Sequence, residues 1–388
     1  MSKAKLIRVT TIPLSLNVLL KGQLNFLSCK FEVIGISSSG NLLNETAERE
    51  GIRVLAVDME RGIHPIKDFI SLCKLYKQFK KEKPQIVHSI TPKAGLLTML
   101  AGKLAGVPIR VHTFTGLIFP SKTGFIQKLL IKMDQLLCWA ATNIYPEGNG
   151  VKTDLINYKI TSKPLKVLAN GNINGIDLDY FSTHQISEQQ KVQLKKELNI
   201  HENDFVFVFV GRLVGDKGMN ELIEAFSKLK HENVHHKLLL VGWLETDLDP
   251  LSADTLKEIE TNPDIIFVGF QPDVRPYFAV SNVLVFPSYR EGFPNVVIQA
   301  GALELPSIVT DINGCNEIVK ERENGIIIPV KNTAAVQNAM KKIMTDTNLY
   351  NELKENARPM ITSRYEQKVV WNAIMEEYQL LLKRKNML

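Results

Sequence analysis

FVFVFVGRLVGDKGMNELIEAF, residues 205–226, holds a strand, a glycine-rich turn and a helix in one line. Its first six residues alternate phenylalanine and valine, an apolar run of β-branched and aromatic side chains that reads as a buried strand. Gly211, Gly215 and Gly218 let the backbone turn tightly, and Leu222, Ile223, Phe226 and Leu229 then recur at helical spacing. Arg212 and Lys217 are thereby set in the loop at the start of a helix. Two cations beside unbonded helical N–H groups suit a pyrophosphate, because amides, helix dipole and side chains all favour negative charge there. A second stretch, PSYREGFPNVVIQAGALELP (287–306), adds the carboxylate of Glu291. Gly292, Phe293 and Pro294 follow it into another helix, with proline expected in the first turn, where its missing N–H is not needed.

Outward from these blocks the chain shows two windings. LIRVTT, FEVIGISS, IRVLAV, PQIVHSI, IRVHTF, TNIYPEG and LKVLANG read as strands, separated by helical segments such as 68–83 and 93–106. This alternation predicts a parallel sheet covered by helices on both faces. After a polar stretch (182–204), FVFVFVG, HKLLLVGW, IIFVGF, VLVFPS and LPSIVTD repeat the pattern. The expected domains are 1–182, 183–364 and a terminal helix, 365–388, carrying Val369, Val370, Ile374, Tyr378 and Leu381 at helical spacing. Two doubly wound domains place ligands at the carboxyl ends of their strands, where the strand order reverses.

Composition agrees with an ordinary globular chain: 388 residues, 45% hydrophobic and 23% charged. Residues 1–182 hold 24 Lys and Arg against 13 Asp and Glu, net +11, whereas the rest hold 23 against 28, net −5. Different partners for the two halves are expected. Cys29, Cys73, Cys138 and Cys315 are scattered without C-x-x-C or zinc spacing, which fits reduced, packed thiols in a cytosolic protein. The apolar run 12–20 follows Lys3, Lys5 and Arg8 but is interrupted by Pro13, Ser15 and Asn17, so it is read as no signal peptide. No stretch reaches the length of a membrane span.

With both blocks in view, the chain resembles the retaining glycosyltransferases of family 4, which have the GT-B fold: two Rossmann-like domains facing a central cleft, with a C-terminal helix crossing back to the first. VHSITPKAGLLTMLAGKLAGVP (87–108), VHTFTG (111–116), NGNINGIDLDYF (170–181), IIFVGF (265–270) and GCNEIV (314–319) fall in the family's order. The TPKAG and NGNINGID forms look most like the CapM-like branch that builds capsular and other surface polysaccharides on a lipid carrier. The resemblance implies a UDP-sugar donor in the second domain, bound by Gly211, Arg212, Lys217, Phe270, Glu291, Gly292, Phe293, Pro294, Asn295 and Gln299. It implies a lipid-diphosphate-linked saccharide acceptor in the first, near Thr91, Lys93, His112 and Thr115. Arg212, Lys217, Glu291 and His112 would be catalytic, the cations neutralising charge on the departing diphosphate. The donor sugar would be an N-acetylhexosamine or a deoxy relative. Cleft closure would exclude water.

Departures matter as much. The family's second glutamate, eight positions after Glu291, is Gln299 here. An amide can still bond ribose hydroxyls through one acceptor oxygen and two donors, without charge assistance. Some relatives carry a histidine at the position of Thr115, and no pair of glycosidase-type carboxylates stands out. Front-face retention, with the leaving diphosphate helping to deprotonate the acceptor, is the mechanism implied by analogy. An epimerase or hydrolase of the same architecture, or a nucleotide-sugar-binding paralogue without transfer activity, are the alternatives.

Asp177-Leu178-Asp179 and Asp247-Leu248-Asp249 are DxD triplets, but basic residues already serve the phosphates, so solvated loop carboxylates and no metal are expected. The segment 119–137 sets Lys122, Lys128 and Lys132 beside Phe125, Ile126, Leu129, Leu130 and Met133, a composition for lying on an anionic bilayer. A cytoplasmic protein, peripheral on the inner face of the cell membrane, is the reading. Nucleic acid is not expected, since recognised binding motifs are absent.

Overall fold

A computed structural model describes residues 3–60, 62–229, 235–247 and 249–387, the side chain of Ser121 excepted. The chain forms two units, Met1–Gly175 with Gln367–Leu388, and Ile176–Glu366. Residues 176–182 thus lie with the second unit, and the second unit ends at Glu366.

The first unit is built on β1 (Ala4–Val9), β2 (Phe31–Ser37), β3 (Arg53–Ala56), β4 (Ile86–Ser89), β5 (Ile109–Phe114) and β6 (Asn143–Pro146), in the order β3-β2-β1-β4-β5-β6. Every pairing is parallel. The second unit holds β7 (Phe205–Val210), β8 (His236–Val241), β9 (Ile265–Phe267), β10 (Val283–Phe286), β11 (Ser307–Thr310) and β12 (Gly325–Ile328), ordered β12-β11-β10-β7-β8-β9 and again all parallel. The two orders are the same winding, each reversing direction between its first and fourth strands. Crossover helices cover such sheets, so their strands are continuous apolar runs; Val206, Phe207, Val208 and Phe209 are each at most 1% exposed.

Two strand assignments change. LKVLANG (165–171) makes only isolated bridges, Ile144 with Leu165 and Ala169 with Gly171. Positive φ at Ala169 and Asn172 ends any ladder there. A sixth strand of the second sheet, β12, was not among those expected, because its four residues Gly-Ile-Ile-Ile are too short to show a period.

The terminal helix Gln367–Arg384 belongs to the first unit. Its Val370, Ile374, Tyr378, Leu381 and Leu382 pack with Leu16, Leu20 and Phe31, while Val369 is left 39% exposed. A polar seam runs through this contact. Arg8, 1% exposed in β1, donates to Gln23 Oε1 and to the Tyr378 hydroxyl, both at 2.9 Å. The same hydroxyl contacts His88 Nδ1, and His88 Nε2 lies 2.8 Å from Thr113 Oγ1.

A candidate donor cradle and an acceptor-side pocket

The loop after β7 lies beside the loop after β10, where the second sheet reverses. Gly218, at φ +70°, starts the helix Met219–Ser227, and a Cβ on it would stand 2.1 Å from the carbonyl oxygen of Pro287. Only glycine lets these two backbones approach so closely. Lys217 Nζ then meets Glu291 Oε1, each side chain 16% exposed, and Ser288 Oγ donates to the same oxygen at 2.9 Å. Lys217 also stands 5.7 Å over the Phe286 ring.

Asp216 joins the blocks further. Its carbonyl accepts from Tyr289 N at 2.8 Å, its carboxylate from Arg290 Nη2 at 2.8 Å, and its own N–H donates to Asp249 Oδ2 at 2.5 Å. The turn amides of 216, 217 and 218 all have acceptors inside the unit. Anion recognition there falls to side chains and to the starts of the two helices.

Arg212 sits on the outer side of the loop, nearly half exposed, and pairs with Glu245 at 2.7 Å. It is not in contact with the Lys217–Glu291 pair. Next to it, Leu213 N donates to Trp243 O at 2.7 Å. Trp243 and Phe270, following β8 and β9, stack with centroids 4.1 Å apart and planes 4° from parallel, both more than half exposed. Gly242 allows this edge to close, since a Cβ there would stand 1.7 Å from Gly211 O.

Gly292, Phe293 and Pro294 lie against Gly314, whose missing Cβ would approach Gly292 O at 2.5 Å. Phe293 is 7% exposed and packs edge-on to Tyr365. Pro294 is the N-cap of the helix Asn295–Ala302, one position before the first turn expected for it. Its φ of −74° is extended enough to leave Asn295, exposed, as the first helical residue. Gln299 follows one turn later on the same face, half-buried.

In the first unit the acceptor-side residues surround the turn from β4 into the helix Pro92–Ala105. Thr91 Oγ1 accepts from Thr11 N at 3.0 Å and lies 2.8 Å from Thr11 Oγ1, which in turn accepts from Ala94 N at 3.2 Å. Thr11 thus caps that helix from another loop, because Thr91 makes no cap bond itself. Lys93 is buried against Asp68. Thr115 Oγ1 donates to Ile90 O at 3.0 Å.

His112 is a correction. It was expected at the open mouth of the sheet, but its ring is 1% exposed, with Nδ1 2.9 Å from Ser89 Oγ and with no room for a Cβ on Gly95, which would come within 2.4 Å of the ring. Burial pushes its pKa down to about 3, so the imidazole is neutral at physiological pH.

The residues 190–360 match the family model described as glycosyl transferases group 1, and 15–147 match glycosyl transferase 4-like. The capsular polysaccharide biosynthesis glycosyltransferase CapM of Staphylococcus aureus is 32% identical over 385 residues, 99% of each chain. It belongs to the group 1 glycosyltransferases.

This glycosyltransferase is also 30% identical, over 79% of its length and 78% of the other's, to the Escherichia coli UDP-Gal:alpha-D-GlcNAc-diphosphoundecaprenol alpha-1,3-galactosyltransferase. Its fold matches that of Anabaena HepE, solved in complex with UDP-glucose, at a TM-score of 0.79 with 17% identity, covering 97% of this chain and 99% of HepE. The architecture is GT-B.

Several residues that build the glycosyltransferase's cradle were not singled out from sequence. Asp216, Ser288, Arg290 and Trp243 carry no motif signal, because their partners lie more than 60 or so residues away or are backbone atoms. Asp249 was read as a solvated loop carboxylate, yet it braces the turn through the Asp216 amide. Asp177 closes its own local turn, accepting from Asp179 N and Tyr180 N. Among the described residues no group of three His, Cys, Asp or Glu side chains is placed to hold a metal ion. No described helix is long and apolar enough to cross a membrane.

Proposed function

We propose that this glycosyltransferase moves a sugar from a UDP-sugar to a lipid-diphosphate-linked saccharide, with retention of configuration, in the synthesis of a surface polysaccharide. The observation that carries the reading is the Lys217–Glu291 contact, which joins two segments 74 residues apart at the reversal point of the second sheet. In this reading Lys217 and Arg212 exchange their carboxylate partners for the diphosphate, and Glu291, released, accepts from a hydroxyl of the donor sugar. Lys217 and Arg212 then stabilise the negative charge that grows on the leaving group. The uracil lies on the exposed Phe270–Trp243 face, and Gln299 bonds the ribose.

A lipid-diphosphate acceptor is supported by the E. coli relative, whose name specifies diphosphoundecaprenol. A UDP donor is supported by that name and by UDP-glucose in HepE. The donor sugar is an N-acetylhexosamine or a related hexose. No metal is required in this reading, because side-chain cations serve the diphosphate, and the enzyme works peripherally at the cytoplasmic membrane face.

The test is a screen of UDP-sugars against a membrane-lipid extract, with mass detection of the glycolipid. Sugar release without acceptor at the rate seen with it would favour a hydrolase or epimerase instead.

A further inference from the structure

The first unit contains a slot of about 590 Å³ between the helix Pro92–Ala105, the residues 114–119 and the helix Gly124–Ala140. That size falls within the range of about 300–1,000 Å³ typical of small-molecule sites. Its wall is mainly Ile63, Leu96, Phe114, Ile118, Leu130 and Met133. Lys93, which also lines it, is paired with Asp68. Asp134 lines it too, and burial pushes that carboxyl up to about 7.

Apolar side chains continue outward from the mouth on both sides. Ile63 and Ile118 form the rim, 49% and 44% exposed. Ile126 precedes Leu130 by one helical turn, so it extends the same face outward, with Phe125 next to it; they are 56% and 78% exposed. On the other side, the helix Pro65–Glu82 is tied to the slot by Asp68 and Lys93. Its Ile66, Phe69 and Ile70 are 79%, 66% and 49% exposed. Their spacing forms a second stripe on a helix that already buries Leu75 and Phe79. A cluster of this extent marks an interaction surface.

Charge selects the occupant. From Gly116 to Met133 there is no Asp or Glu, while Lys122, Lys128 and Lys132 are exposed. A sugar in the slot would lack hydrogen-bond partners along most of its wall, and a free anion would leave that wall unfilled. An amphiphile with a hydrocarbon chain and an anionic head fits both parts.

We infer that the slot takes the first units of the polyprenyl-type chain of the acceptor lipid, with Phe125, Ile126, Ile66 and Phe69 in the bilayer and the lysines beside the diphosphate. This rests on the lipid-diphosphate acceptor proposed above. The slot gives that acceptor a fixed depth relative to the membrane.

The experiment measures binding of undecaprenyl diphosphate in detergent micelles to the full chain and to Met133→Trp and Ile63→Trp, with thermal unfolding recorded for each. Ile63 is half exposed on a loop, so its replacement blocks the mouth without disturbing packing. Saturable binding that weakens at least about tenfold in both variants is expected, since losing about two buried methylenes suffices for that. Unchanged binding in Ile63→Trp overturns the slot, as does equal displacement by dioleoyl phosphatidylglycerol, which would make it a general lipid site. Transfer assays separate this idea from the acceptor reading. Absence of product from every polyprenyl-diphosphate saccharide breaks the acceptor reading, whereas an unaltered ratio of kcat/KM between long- and short-chain acceptors in Ile63→Trp breaks only the slot.

Discussion

The two sheets have the same winding, yet their reversal points are chemically opposite. Between β7 and β10 the loop ends carry Lys217 against Glu291 and Asp216 against Arg290. Between β1 and β4 the corresponding ends carry Thr11 and Thr91, joined hydroxyl to hydroxyl. Topology puts loop ends together in both places; side chains decide what each can hold. A charged pair at 16% exposure is costly to desolvate, and it suits a polyanion that can replace the carboxylate. Neutral hydroxyls and a neutral buried imidazole offer no such grip on a phosphate. The division assigns donor recognition to the second unit by chemistry rather than by topology.

The sharpest way to break this comparison is to remove charge from one reversal point and polarity from the other. Lys217→Ala should lower kcat by about a hundred- to a thousandfold, the usual size of a lost transition-state charge contact. Thr91→Val should cost less than about tenfold, and equal losses in steady-state assays would erase the contrast. Tyr378→Phe comes next. It removes an acceptor from buried Arg8 and the partner of His88 Nδ1. Urea unfolding should show a loss of about 2–3 kcal/mol, with UDP binding by the second unit retained.

Gln299→Glu tests the donor side more finely. A charged acceptor strengthens bonds to hydroxyls, so UDP-sugar affinity measured calorimetrically should rise by less than about tenfold. A fall would remove Gln299 from the ribose contact.

The smallest effect concerns His112. With its pKa held at about 3 in the folded state and near 6.5 when unfolded, the folded protein binds fewer protons between those values. Its contribution to stability is therefore complete above about pH 6.5 and declines as pH falls toward 3. The His112 ring resonances should stay flat between pH 5 and 8 by NMR, and the pH–rate profile should show no step from this group. A titration near 6.5 would return His112 to an exposed site.

Much of this was legible in the chain because buried parallel strands and glycine turns are local signals. FVFVFVG announces β7 through composition alone, and Gly218 marks the tight approach that the Pro287 carbonyl makes necessary. The basic segment after Gly116 was visible in the same way. The stripe Ile66, Phe69, Ile70 was overlooked because the helix also carries Leu72, Leu75, Tyr76 and Phe79, and the stronger stripe absorbs attention. LKVLANG shows the limit of pattern, since a ladder needs a partner edge as well as apolar residues.

By itself the sequence determined the two windings, the loop that holds Lys217 and the carboxylate at 291, since each follows from residues within a few turns of one another. Only the tertiary structure decided that Lys217 and Glu291 touch, that Asp216 and Asp249 brace the turn, that His112 is enclosed, and that Ile63 closes a slot with Leu130 and Met133. Those outcomes depend on which distant segments the sheets bring side by side, and on water being excluded once they meet, neither of which is encoded in any short stretch of the chain.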